Sequence, residues 1–187
     1  MKSTLLTVAL VACVLPASVF AQSKGTRGNA QNAQARLERE VRHELVMLSQ
    51  YGVFDNLAYQ VTGSTVTLIG NVTRPVLKSN AEKAVKDIEG VERVENKIIV
   101  LPVFSADNQI RIAVYQAIYG SPALQRYAMQ AIPSIHIIVN NGNVTLEGAV
   151  ANKSDGDMAN IRAKTVSGVF SVTNNLKTDA QLAEMGK

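Results

Sequence analysis

The chain has 187 residues, of which 47% are hydrophobic and 18% charged, with a net charge of +4, one Cys and no Trp. That length suits one ordinary domain or two very small ones, and that apolar fraction excludes disorder throughout. A single Cys excludes an internal disulfide framework and a Cys-based zinc cluster, and two distant His leave little for a metal site. The composition points to a binding or structural role rather than to an enzyme.

Residues 1–21 read as a secretory signal peptide. Lys2 gives a short positive start, an uncharged apolar run extends from Leu5 to Phe20, and Val19-Phe20-Ala21 suits cleavage before Gln22. The run is too short for a comfortable membrane span. Leu10-Val11-Ala12-Cys13 resembles a lipoprotein box, so an outer-membrane lipoprotein anchored through Cys13 is the competing reading. Residues 22–35 are polar, with little to bury, and are expected to form a flexible linker.

Leu37, Val41, Leu45 and Leu48 then recur at helical spacing. Leu57, Tyr59 and Val61 alternate as a strand does, and a turn at Thr62-Gly63-Ser64 leads into a second alternating run, Val66, Leu68, Gly70 and Val72. Arg74-Pro75 ends that strand, because proline cannot donate to the ladder. Leu77, Ala81, Ala84, Val85 and Ile88 predict a second helix closed by Gly90. Val91, Val94, Ile98 and Val100 carry a last strand.

The same order then repeats. Shifting residues 61–98 by 78 positions, without a gap, superposes about a dozen identities on residues 139–176. Val66-Thr67-Leu68 falls on Val144-Thr145-Leu146, Gly70 on Gly148, Gly90-Val91 on Gly168-Val169, and Asn96 on Asn174. The chain is thus expected to hold two units, 36–102 and 108–178, followed by a C-terminal tail at 179–187. Each is an αββαβ unit of α+β class, a small three-stranded sheet with two helices on one face. The second copy inserts about five residues between Ser121 and Pro133, where Pro122 is expected to start an extra short helix. Units this small bury marginal cores, so the copies are expected to pack together, with Phe104 in the connection a candidate for fixing their angle.

Val66-Thr67-Leu68-Ile69-Gly70-Asn71-Val72 with Gly90-Val91-Glu92-Arg93-Val94-Glu95-Asn96-Lys97-Ile98, and the second set at 144–150 and 168–176, resemble the BON domain family. The doubled motif behind an export signal is similar to the tandem-BON proteins of the osmotically inducible periplasmic family. The resemblance implies a periplasmic protein that attaches to phospholipid membranes or other envelope components and protects the envelope under stress. It carries over no catalytic residue and no cofactor, because the motif positions are structural.

The two first helices differ. The outer face of the first carries Arg39, Arg42 and His43, an ordinary solvated surface. The second has a core stripe of Ile110, Ala113, Val114, Ala117 and Ile118, and on the opposite side Ile112, Tyr115 and Tyr119, with Arg111 between. Such a face either packs on the first copy or the insertion, or offers a lipid- or partner-binding patch of Ile112, Tyr115 and Tyr119 with Arg111 and Arg126 nearby. Copy one is neutral, with nine cationic and nine anionic side chains, and copy two has six against three. A mild cationic excess attracts anionic headgroups but is too weak a basic stripe for nucleic acid. The alternative is a periplasmic adaptor or scaffold in an envelope complex, docking through the same patch or a sheet edge. His43 and His136 have no second ligand at metal spacing, and Asp155 or Ser154 is expected to cap the helix that follows.

Overall fold

A computed structural model describes residues 24–185. The predicted leader and Cys13 lie outside the described residues.

The first unit comprises α1 (Lys24–Val46), β1 (Asn56–Thr62), β2 (Thr65–Val72), α2 (Pro75–Lys86), β3 (Arg93–Asn96) and β4 (Ile99–Val100). The second comprises α3 (Ser105–Tyr119), a 3-10 turn at Gln125–Ala128, β5 (Ile135–Asn140), β6 (Asn143–Val150), α4 (Lys153–Lys164), β7 (Ser171–Asn174) and β8 (Lys177–Thr178), and α5 (Asp179–Met185) follows. In each sheet the long second strand is central. It pairs antiparallel with the first strand and parallel with the last, which returns over the second helix.

The last strand arrives in two pieces for a reason visible in the repeat. Asn96 Nδ2 donates to the Lys78 carbonyl on α2 (3.0 Å), and its Oδ1 accepts from Ile98 N–H (3.2 Å). Asn174 does the same with Gly156 on α4 (3.0 Å) and with Leu176 N–H (3.2 Å). The repeated Asn therefore ties helix to strand and takes up the backbone where the ladder breaks.

The alternating residues face one way. Val61, Val66, Leu68 and Val72 meet Leu37, Val41 and Leu45 of α1 and Leu77, Ala81 and Val85 of α2 in one core. Ile135, Ile137, Val139, Val144, Leu146 and Val150 meet Ile110, Val114 and Ile118 of α3 and Ala159 and Ala163 of α4 in the other. Each unit is thus a sheet with both helices on one face, as the spacing predicts.

Four local expectations are corrected. Helix α1 begins at Lys24, inside the segment expected to be a linker, because Ala- and Gln-rich chain extends an existing helix without a new nucleation cost. The insertion forms only a 3-10 turn, since Leu124 and Tyr127, three residues apart, both point inward. Helix α4 is capped by Asn152, whose side chain accepts from Asp155 N–H (3.0 Å). The expected tail holds α5, started by a capping box in which Thr178 Oγ1 accepts from Gln181 N–H (3.2 Å) and Gln181 Oε1 accepts from Thr178 N–H (2.9 Å).

Candidate functional site

The face of α3 opposite its core stripe is largely covered, and the cover comes from the first unit. The α1–β1 loop reaches across to the outer edge of β5, where Ile137 N–H donates to the Val53 carbonyl (2.8 Å). Val53 and Phe54 pack against the second unit's core. Phe54 meets Tyr115 edge-on (6.2 Å between ring centroids), and Tyr51 stacks on His136 (5.4 Å, 19°). Buried Asp55 holds the loop in shape, accepting from Thr73 N–H (2.7 Å), the Thr73 hydroxyl (2.8 Å) and Gly52 N–H (3.2 Å). These contacts, rather than Phe104, join the two units.

The expected patch therefore comes apart. Ile112 is exposed, at 54%. Tyr115 is half-buried between Phe54 and Tyr119. Tyr119 is buried, its hydroxyl donating to the Ile135 carbonyl (2.6 Å), and burial pushes its phenol above the ordinary range. Arg111 is buried too, donating from Nη1 to Asn108 Oδ1 (2.9 Å) and from Nη2 to the Val139 carbonyl (2.8 Å). Arg126 lies over the Tyr127 ring (4.9 Å) and is ion-paired with Asp155. Of the five, only Ile112 faces solvent without a partner to satisfy. Periodicity placed these residues on one side of a helix, but not the neighbouring loop that covers that side.

His136, which has no second metal ligand at a suitable spacing in the sequence, lies at the junction of the units against Tyr51. Burial draws its pKa below the ordinary value, while the backbone of Gly52 and Asp55 and the carboxylates of Asp55 and Glu147 work the other way. A His depressed below its unfolded pKa of about 6.5 contributes stability that is present above that pH and lost as pH falls through the folded value. Acidifying from neutrality is therefore expected to loosen the junction, and His136→Gln to flatten that acid dependence. Domain docking followed by small-angle scattering against pH checks both.

A second surface has no cover. Phe104, which starts α3, and Phe170, which leads into β7, stand 49% and 83% exposed. They flank an open groove of about 760 Å³ with Ile110, Ala113, Gly142 and Gly168. Phe170 is held in place, since its N–H donates to the Gly142 carbonyl (2.9 Å) and its ring lies where a Gly142 side chain would start. Beneath it, buried Asp107 accepts from Asn141 and Gly142 N–H (2.9 Å each), tying the first turn of α3 to the β5–β6 hairpin.

The first unit has a matching groove of about 680 Å³, with Asn32, Arg36, Leu37, Ser64 and Glu89 in its wall and no exposed aromatic ring. Glu92 stands where the second unit has Phe170, and it accepts from the Ser64 hydroxyl (2.7 Å). Sequence reasoning missed this site because Phe104 and Phe170 are single loop aromatics outside any periodic run. The available signal was the repeat itself, in which a charge is exchanged for an exposed ring. Among the described residues, Arg162, Lys164 and Lys177 of the second unit make no ion pair.

Among the described residues, no helix is long and apolar enough to cross a membrane. Osmotically-inducible protein Y of Escherichia coli (strain K12) is 27% identical over 195 aligned positions, spanning 95% of this chain and 96% of that protein. Two solved structures of CdsD, a structural protein of the Type III secretion system of Chlamydia trachomatis, align at 12% and 13% identity. They cover 81% and 78% of this chain and 97% and 98% of theirs, with TM-scores of 0.31 and 0.29, too low to bear on how the units are arranged. The profile of the BON domain matches residues 33–102 and again 106–180. With two matches spanning most of its length and the same glycines and asparagine built into each unit, the chain belongs to the BON domain family.

Proposed function

We propose that this is an exported, non-enzymatic periplasmic protein that associates with phospholipid surfaces of the cell envelope, in a role tied to osmotic stress. The second BON unit is the contact module. Its contact surface is the groove end of α3, with Phe104 and Phe170 as apolar wedges, while Ile112 is exposed on the opposite side of the helix. The observation that carries the reading is Phe170, an 83% exposed ring where the otherwise matching first unit has a hydrogen-bonded Glu. A soluble chain gains nothing from such a ring in water, whereas burying a Phe in an apolar phase yields about 1.5–3 kcal/mol. Arg162, Lys164 and Lys177 supply uncommitted cations to the same unit, each worth roughly 1 kcal/mol beside anionic headgroups.

Co-sedimentation of residues 22–187 with vesicles of rising phosphatidylglycerol content tests this. Binding is expected to rise with anionic lipid and fall with salt, and Phe170→Ser is expected to weaken it about tenfold or more. Tyr119→Phe, which alters only a buried hydroxyl, should leave it unchanged. A folded protein that ignores vesicles but captures a defined envelope protein would favour the adaptor reading instead.

A further inference from the structure

At the junction of the two units, a small, partly open cleft of about 240 Å³ lies between Phe54 and Val103, with Thr73, Arg74, Asn108 and Arg111 in its wall. Three features give it positive character. Helix α2 starts here with no side-chain cap and no acidic residue in its first turn, and the Asp55 carboxylate beside the preceding Thr73 is taken by that residue's N–H and hydroxyl. Its N-cap residue is Arg74, exposed and without an ion pair among the described residues. Arg111, 4% exposed, has no carboxylate within 4.0 Å, and its Nε–H has no partner at all.

A buried guanidinium without a counterion is costly, and such groups are ordinarily paired. The nearby carboxylates are committed elsewhere: Asp55 accepts three hydrogen bonds from Gly52 and Thr73, and Asp107 accepts two from the hairpin turn. Asp107 and Asp55 nonetheless favour the charged guanidinium, against burial, which lowers its pKa.

The repeat supplies the internal control. In the second unit, Asn152 stands in place of Arg74 and Asp155 in place of Leu77. Asn152 caps α4, and the Asp155 carboxylate sits at that helix start, held by Arg126, Tyr127 and Asn152. The second unit thus carries an anion within the first turn of α4, whereas the first turn of α2 has none, and Arg74 of the first unit and Arg111 of the second stand beside it.

We propose that this cleft is an oxyanion site that takes a phosphate group between Arg74 and Arg111. The Asn108 amide, whose oxygen accepts from Arg111, lines the same cleft, as does Arg74 at the start of α2. Inorganic phosphate and the phosphodiester of a lipid headgroup offer the same group, so the site does not depend on the membrane reading. The planar fork of arginine suits such a ligand.

Calorimetric titration of residues 22–187 at fixed ionic strength tests it, first with inorganic phosphate and then with short-chain phosphatidylglycerol below its micelle concentration. Saturable 1:1 binding is expected, with a rise of about 2–4 °C in melting midpoint at saturation. Arg74→Gln, an exposed change, is expected to weaken binding about tenfold. Arg111→Met is expected to abolish it, while Lys164→Gln leaves it intact. Binding of free phosphate alone makes the ligand a soluble oxyanion, and binding of the lipid with the same dependence on Arg74 makes it a headgroup. No binding of either ligand, a midpoint rise that chloride reproduces, or binding that survives Arg74→Gln unchanged would overturn the proposal. The vesicle assay on Arg74→Gln keeps the two readings apart, since loss of phosphate binding with vesicle binding retained leaves the aromatic groove standing.

Discussion

Gly148→Ala is expected to cost the second unit about 4 kcal/mol and to lower its melting midpoint by roughly 10 °C. Gly148 has φ +113°, a conformation that side chains rarely adopt, and a Cβ there would lie 2.0 Å from the Ser134 carbonyl oxygen. The obstacle is backbone, so no rotamer change relieves it, and the β5–β6 ladder must open. Gly70→Ala is expected to do the same to the first unit, with a Cβ 2.1 Å from the Asn56 oxygen at φ +122°. Gly63→Ala is the control. Its φ is +60° but nothing lies within 4 Å, so only the conformational cost of about 1 kcal/mol applies. Thermal melts of the three variants separate close approach from backbone preference. If Gly148→Ala melts within a degree or two of Gly63→Ala, the strand pairing described for Gly148 is wrong.

Asp107→Ala is expected to cost about 3 kcal/mol, because Asn141 and Gly142 N–H both lose an ionised acceptor and no neighbour can replace it. Asn141 holds a positive φ of 49°, so the hairpin tip relies on that carboxylate to keep its shape. Asp107→Asn retains one acceptor oxygen and should recover part of the loss. The functional consequence is the sharper measurement. Phe170 rests on Gly142, so loosening the tip should disperse the aromatic groove and weaken vesicle binding even where the protein remains folded. Hydrogen exchange at Asn141 and Gly142 reports the loosening directly, and unchanged protection there would refute the role assigned to Asp107.

Much of the fold was legible because the repeat reports on geometry twice. Gly70 and Gly148, Asn96 and Asn174, and Gly90 and Gly168 recur where one backbone shape must be made in both units. Their alternating and helical neighbours are the residues found in the two cores. The contact surface was less legible. Helical periodicity correctly put Ile112, Tyr115 and Tyr119 away from Ile110, Val114 and Ile118, but a helix wheel holds no information about a loop 60 residues upstream. Val53 and Phe54 turned much of that second stripe into interior. Arg111 was read as a surface cation because charged residues are seldom buried, and the carbonyl of Val139 that receives it belongs to a strand 28 residues away. Phe170 was overlooked for the converse reason: an isolated aromatic in a turn has no pattern to announce it.

The loop that joins the units also makes them unequal. The first core is filled by its own residues, whereas the second is completed by Val53 and Phe54 from the first. A ribosome delivers the self-sufficient unit first, and with it the template edge against which β5 can settle. The order of the copies is therefore directional rather than interchangeable. A circular permutant that presented the second unit first would leave it waiting for its missing wall, with Tyr115 and the β5 edge open to other chains for as long as the first unit took to emerge.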